Sequence, residues 1–248
     1  MCHQHRDAPI SGGGGITETD GEAPGADRAL PAFLARPDND AAAPAVLIVH
    51  DIWGANAFYR DLARRLAGEG FVALLPDFFA RQGELPEQTR DAAFARRERL
   101  DSDLALRDIA AALDWLREHP ASSGRVATIG FCMGGTLVLL AASRQSAPDA
   151  TVAFYGFPAA GSPSPLDEAD TLRSPLLAFW GDADTGVGMD NVETYRAALT
   201  ETGARHEFVI YPDYPHGFLS FDPDSTTFEG SRDAWERMLT FFRAELAG

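Results

Sequence analysis

Val126-Ala-Thr-Ile-Gly-Phe-Cys-Met-Gly-Gly-Thr-Leu137 is the stretch on which the rest of the chain turns. An apolar, β-branched run ends in Gly130, Cys132, Gly134 and Gly135, and an apolar helical pattern begins at Leu137. The pattern predicts strand, sharp turn and helix, with one nucleophile at the apex. Such a turn forces strained backbone angles on the nucleophile, and small flanking residues let strand and helix come close. A helix start also presents free N–H groups and a partial positive charge, which favour a thiolate and a developing oxyanion. The plainer reading is a buried cysteine in a Gly-rich turn, because free Cys is often core.

Outward from this turn, the chain alternates between two kinds of segment. Leu30–Arg36, Ala45–Val49, Phe71–Leu75, Thr151–Tyr155, Leu176–Trp180 and His206–Tyr211 read as strands. Ala45-Val-Leu-Ile-Val49 is a continuous apolar run, as expected of a parallel strand covered on both faces. Residues 56–69, 190–201 and 233–246 read as helices. The Arg- and Glu-rich stretch 86–100 precedes or starts a long helix through Arg117, with Leu104, Ile109, Leu113 and Leu116 as its apolar stripe. The expected fold class is α/β, a mostly parallel sheet covered by helices on both faces, with ligands bound beyond the carboxyl ends of the strands. Residues 1–28 are rich in Gly, Asp, Glu and Pro and read as a flexible acidic tail, which leaves residues 29–248 as one domain.

The net charge of −16 argues against nucleic acid or an anionic membrane as partner. All 21 basic residues are Arg, so lysine Schiff-base chemistry is excluded. Cys2 lies in the tail and Cys132 in the turn, so a structural disulfide is not expected. Cys2, His3 and His5 are ligand types, but with no fourth ligand nearby they read as an incidental cluster, and no metal or cofactor is expected. No signal-peptide core or bilayer-length apolar run is present, and the expectation is a cytoplasmic protein, a monomer or small homo-oligomer.

Two further strand ends carry candidate chemistry. Gly181-Asp-Ala-Asp184 follows one strand, and Pro212-Asp-Tyr-Pro-His216-Gly-Phe follows another. Nucleophile, acid and histidine then come in the order of α/β-hydrolases, whose G-x-S-x-G nucleophile elbow the Cys132 turn resembles with sulfur for oxygen. His206 starts a strand, His50 precedes the nucleophile and His119 ends a helix, so His216 has the fitting context. Asp184 is preferred to Asp182 by its spacing, and Asp182 reads as a turn residue.

Gly-Phe-Cys132-Met-Gly-Gly, His50-Asp-Ile-Trp-Gly54, Pro76-Asp-Phe-Phe-Ala-Arg81, Gly181-Asp-Ala-Asp184 and Pro-His216-Gly-Phe, taken in order, resemble the dienelactone hydrolase family of cysteine-dependent α/β-hydrolases, also called carboxymethylenebutenolidases. The resemblance implies a Cys132–His216–Asp184 triad acting on a small-molecule lactone or ester. It also implies oxyanion donors at the Met133 and Ile52 N–H groups. Asp51 stands where the family has a carboxylate that partners the resting thiol, usually Glu. Arg81 matches the arginine that pairs with a substrate carboxylate, and would make that substrate anionic. The family's second such arginine is replaced by Ser220. Trp53, Phe78, Phe79, Trp180 and Phe218 lie beside these motifs as pocket or core residues. Two other functions fit the residues: a broad carboxylesterase or thioesterase with no anionic anchor, and a non-catalytic thiol sensor on the same fold.

Overall fold

Apolar runs become most of the strands here, and three of the helices begin at a side-chain cap. The computed structural model describes residues 15–247. Its strands are β1 (Ile16–Ala23), β2 (Leu30–Pro37), β3 (Ala43–Val49), β4 (Val72–Pro76), β5 (Ser122–Phe131), β6 (Ala150–Phe154), β7 (Leu176–Gly181) and β8 (His206–Tyr211). Its α-helices are α1 (Ala57–Gly68), α2 (Arg90–Glu98), α3 (Ser102–Glu118), α4 (Met133–Ala141), α5 (Met189–Thr202) and α6 (Phe228–Glu245). The eight strands form one sheet in the order β1-β2-β4-β3-β5-β6-β7-β8. Every residue of β4, β6 and β7 is buried, whichever way its side chain points, so these strands are covered on both faces. The architecture is α/β, as the alternation of patterns predicts.

The chain divides into two compact units between Val126 and Ala127. In the first, β3 and β4 run parallel, and β2 lies antiparallel to β4. Helix α1 starts at Asn56, whose side chain accepts from the Phe58 N–H at 3.0 Å. In the second, β5, β6, β7 and β8 are mutually parallel neighbours. The register pairs Phe131 with Phe154, Phe154 with Phe179, and Gly181 with Tyr211, so the carboxyl ends of these strands finish nearly level. The Phe131, Phe154 and Phe179 rings stack at 5.1 and 4.7 Å beneath those ends.

One expectation changes. Residues 1–28 are not a tail throughout, because Ile16–Ala23 forms β1, antiparallel to β2. Charge holds it there: Arg60 makes a two-pronged contact with Asp20 at 2.7 and 2.8 Å, and Arg64 grips Glu18 at 2.9 and 3.1 Å. The same two guanidiniums lie 4.1 and 5.2 Å over the Phe33 ring of β2. Of the two alternatives for 86–100, the structure has this stretch precede the long helix, so that α2 and α3 are separate. Asp101 caps α3 by accepting from the Leu104 N–H at 2.9 Å, and Thr89 caps α2 through the Ala92 N–H at 3.3 Å.

Candidate active site

Cys132 follows β5 directly and occupies the N-cap position of α4, at φ 55° and ψ −117°. An L-residue reaches such angles only under constraint, and here the surroundings supply it. The Cys132 N–H donates to the Phe154 carbonyl at 3.0 Å, and its carbonyl accepts from the Thr136 N–H at 3.0 Å. A Cβ on Gly130 would overlap the Gly134 carbonyl and come within 2.8 Å of Val138 Cγ2. One on Gly135 would lie 2.7 Å from the Phe154 carbonyl oxygen. Strand and helix thus approach as closely as their backbones allow, and the turn between them is forced. The thiol is 6% exposed. The first bond of the α4 ladder runs from Thr136 to Cys132, so the Met133 N–H is left outside it, at the positive end of the helix.

Asp184 and His216 stand at the ends of β7 and β8. Asp184 Oδ1 accepts from the Gly186 and Val187 N–H groups at 3.0 and 3.1 Å, which fixes the carboxylate. Its Oδ2 lies 2.6 Å from His216 Nδ1. A carboxylate at Nδ1 sets the tautomer and leaves Nε2 as the nitrogen that can exchange a proton. Asp182 instead accepts from the Asp213 N–H at 2.6 Å, closing the loop that carries His216.

Two residues beside this histidine escaped the sequence reading. Tyr155, just past β6, has a positive φ of 40° and sets its ring edge-on to His216 at 5.0 Å. Thr136 Oγ1 accepts from the Phe157 N–H at 2.9 Å, which places the Phe157 ring 5.3 Å from the imidazole. Tyr155 reads in sequence as one more apolar strand residue. Its strain has no sequence signal.

The remaining candidates lie in the first unit. Asp51 is fully buried. Its Oδ1 accepts from the Trp53 N–H at 2.8 Å, and its own N–H is held by the Tyr59 hydroxyl at 3.2 Å. The Asp51 carbonyl lies 2.8 Å from His50 Nδ1 and accepts from the Gly54 N–H at 3.2 Å. His50 Nε2 in turn accepts from the Phe78 N–H at 3.1 Å, so this ring joins the loops after β3 and β4. The Ile52 N–H has no hydrogen-bond partner among the described residues, although Ile52 is buried.

Arg81 is occupied. Its Nη1 and Nη2 donate to the two oxygens of Asp108 at 2.7 and 3.0 Å, and Nε and Nη2 donate to Asp27. Asp108 is 1% exposed and also accepts from the Ala26 N–H at 2.7 Å. Asp108 first, then Asp27, raise the Arg81 pKa. Two carboxylates around one guanidinium leave a net negative group, which is a poor anchor for a substrate anion. At Ser220, the N–H donates to Ser231 Oγ and the hydroxyl accepts from the Asp222 N–H. Phe78, Phe79, Trp180 and Phe218 are core, and Trp180 Nε1 donates to the Gly156 carbonyl at 2.8 Å. No group of three or more metal-ligating side chains occurs among the described residues, and Cys2, His3 and His5 lie outside them. No described helix is long and apolar enough to cross a membrane.

Residues 30–246 match the model of the Dienelactone hydrolase family. A Salmonella typhimurium protein provisionally named a carboxymethylenebutenolidase is 33% identical over 222 residues, covering 86% of this chain and 82% of that one. The carboxymethylenebutenolidase of Rhodococcus opacus is 31% identical, over 99% of this chain and 98% of its own. Among solved structures, a provisionally named dienelactone hydrolase from Klebsiella pneumoniae superposes with a TM-score of 0.86 at 33% identity, covering 92% of this chain and 98% of that one.

Proposed function

Because the chain belongs to the dienelactone hydrolase family, whose members are hydrolases, we propose that it cleaves a lactone or ester through a Cys132–His216–Asp184 triad. The observation that carries this reading is Cys132 held at φ 55° on the head of α4, in the same unit as a histidine tied to a buried carboxylate. In the first half-reaction the Cys132 thiol gives its proton to His216 Nε2, and its sulfur attacks the ester carbonyl. The oxyanion is held by the Met133 N–H, with the Ile52 N–H as the second donor that the family resemblance implies. The tetrahedral intermediate collapses, the alkoxide takes the proton from His216 Nε2, and a thioester to Cys132 remains. Water then attacks the thioester carbonyl, giving its proton to His216, and the acid leaves as the thiolate is released. Asp184 holds the imidazole in one tautomer through both halves.

A second reading concerns the substrate. Arg81, expected to hold a substrate carboxylate, is neutralised by Asp27 and Asp108, and Ser220 carries no charge. This supports neutral esters or thioesters over an anionic dienelactone. The deciding experiment is hydrolysis of a dienelactone and of p-nitrophenyl acetate by wild type and by Cys132→Ala. Turnover by wild type that the variant loses is the expected result, with the acetate the better substrate. Activity that survives in Cys132→Ala would mean another nucleophile.

A further inference from the structure

Arg96 stands on α2, whose nine residues bury only Ala93 and Arg96. The residue is 5% exposed, yet its guanidinium makes no ion pair among the described residues. Its Nη2 donates to the Ile52 carbonyl at 3.2 Å, Nη1 reaches the Gly83 carbonyl at 3.5 Å, and Cζ lies 4.2 Å over the Phe79 ring. Nε is buried with no hydrogen-bond partner. Burial pushes this guanidinium below its ordinary range, against the pull of Asp77 and Asp51. A cation taken out of water with no carboxylate in direct contact costs more than an apolar side chain of the same shape. Methionine would cover Phe79 and hold α2 down equally well. Anchoring the helix therefore leaves the charge unaccounted for.

The group that the charge touches accounts for it. The Ile52 carbonyl and the Trp53 N–H belong to one peptide unit, and Arg96 and Asp51 Oδ1 grip its two ends, the latter at 2.8 Å. The peptide unit before it has its carbonyl held by His50 Nδ1 and the Gly54 N–H, and its N–H is the unpartnered one of Ile52. With both planes fixed, the Ile52 N–H has one direction. Gly54, at φ 84°, lets the guanidinium lie against the turn, since a Cβ there would stand 3.2 Å from Nη2. Resting on the hydrolase reading above, we propose that Arg96 is a positioning residue, which pins the Ile52–Trp53 peptide from α2 so that the Ile52 N–H is held ready as an oxyanion donor. It touches no substrate and acts through the loop.

Arg96→Met and Arg96→Lys separate this role from packing. Two readouts are made on each: deuterium exchange in the peptide covering residues 50–55, and kcat and KM for p-nitrophenyl acetate. Arg96→Met should fold, exchange faster in that peptide alone, and lose about 10- to 100-fold in kcat with KM within about twofold of wild type. Arg96→Lys keeps one donor for the Ile52 carbonyl but loses the planar fork that also reaches Gly83, and should give exchange and kcat between those of Arg96→Met and wild type. A folded Arg96→Met with wild-type kcat and unchanged exchange overturns the proposal, as does a rise in KM without a fall in kcat, which would make Arg96 a substrate contact. Should Arg96→Met not fold, Arg96→Lys alone decides: intermediate exchange and kcat support pinning, and values equal to wild type overturn it. Should wild type hydrolyse no ester, the hydrolase reading falls by itself, and unchanged loop exchange in Arg96→Met still overturns the pinning.

Discussion

At Cys132 the backbone holds a conformation that its own side chain disfavours, and everything around it is shaped to keep it there. Gly130 and Gly135 supply the close approach, and Phe154 and Thr136 the hydrogen bonds. The histidine is restrained in a different way, by a 2.6 Å bond to Asp184 and by the Tyr155 and Phe157 rings. Asp184→Asn preserves the shape but offers Nδ1 an amide, which stabilises the wrong tautomer. A loss of about 10⁴-fold in kcat is expected with an unchanged circular dichroism spectrum. Arg81→Ala should act on the fold, because it leaves the carboxylate of Asp108 buried without its cation. Thermal or urea unfolding should show a loss of about 3 kcal/mol, and the ratio of activities on anionic and neutral esters should stay the same. Much of this was legible in the sequence. Cys132, Asp184 and His216 each follow an apolar run, and that local pattern suffices to place them just past strand ends. Arg96 and Tyr155 were not legible, since an arginine in a polar stretch reads as solvated, and only the folded chain brings it against Ile52. Arg81 was readable as a motif but not as an ion pair, because Asp108 is distant in sequence.

The elements divide in the same way. Strands β3 to β8 and helices α1, α4, α5 and α6 announce themselves by hydrophobic pattern, with boundaries shifted by a few residues. Strand β1 does not, because Ile16-Thr-Glu-Thr-Asp-Gly-Glu-Ala23 has no apolar face. Its binding face consists of Glu18 and Asp20, which become adhesive only when Arg60 and Arg64 are aligned one helical turn apart on α1. Arg and Glu favour helix throughout 86–100, which left open whether this stretch precedes or starts the long helix, and the Asp101 cap decides it. Asp101→Ala removes that cap. A cost of about 1 kcal/mol is expected, read as a lower Tm with wild-type turnover, since α3 carries no candidate catalytic residue.

Over the whole molecule the balance of charge is strongly negative, at −16, and arginines reduce the local repulsion. The Arg81 hydrogen bond, with its charge, holds the Asp27 carboxyl below its usual value near 3.8. Burial would raise Asp233, but the Tyr211 hydroxyl and Arg237 override it and hold that carboxyl low as well. A carboxyl depressed by folding contributes stability above its unfolded pKa, and that contribution is lost as pH falls through the folded one. These two groups therefore predict no change in unfolding temperature between about pH 5 and 8, and a decline below about pH 4. A Tm that declined between pH 8 and 6 would assign the sensitivity to histidine instead.

Strand β1 also determines how the molecule meets copies of itself. It covers one side of β2 and presents acidic side chains at the end of the sheet. A chain trimmed to begin at Pro24 would bare the β2 backbone, including the apolar Leu30, Phe33 and Leu34, to any passing strand. Such a chain should scatter light and precipitate on standing at concentrations where the intact protein stays clear. On this view the acidic ribbon at the front of the domain acts as a colloidal shield, and proteolysis there would be felt first as lost solubility.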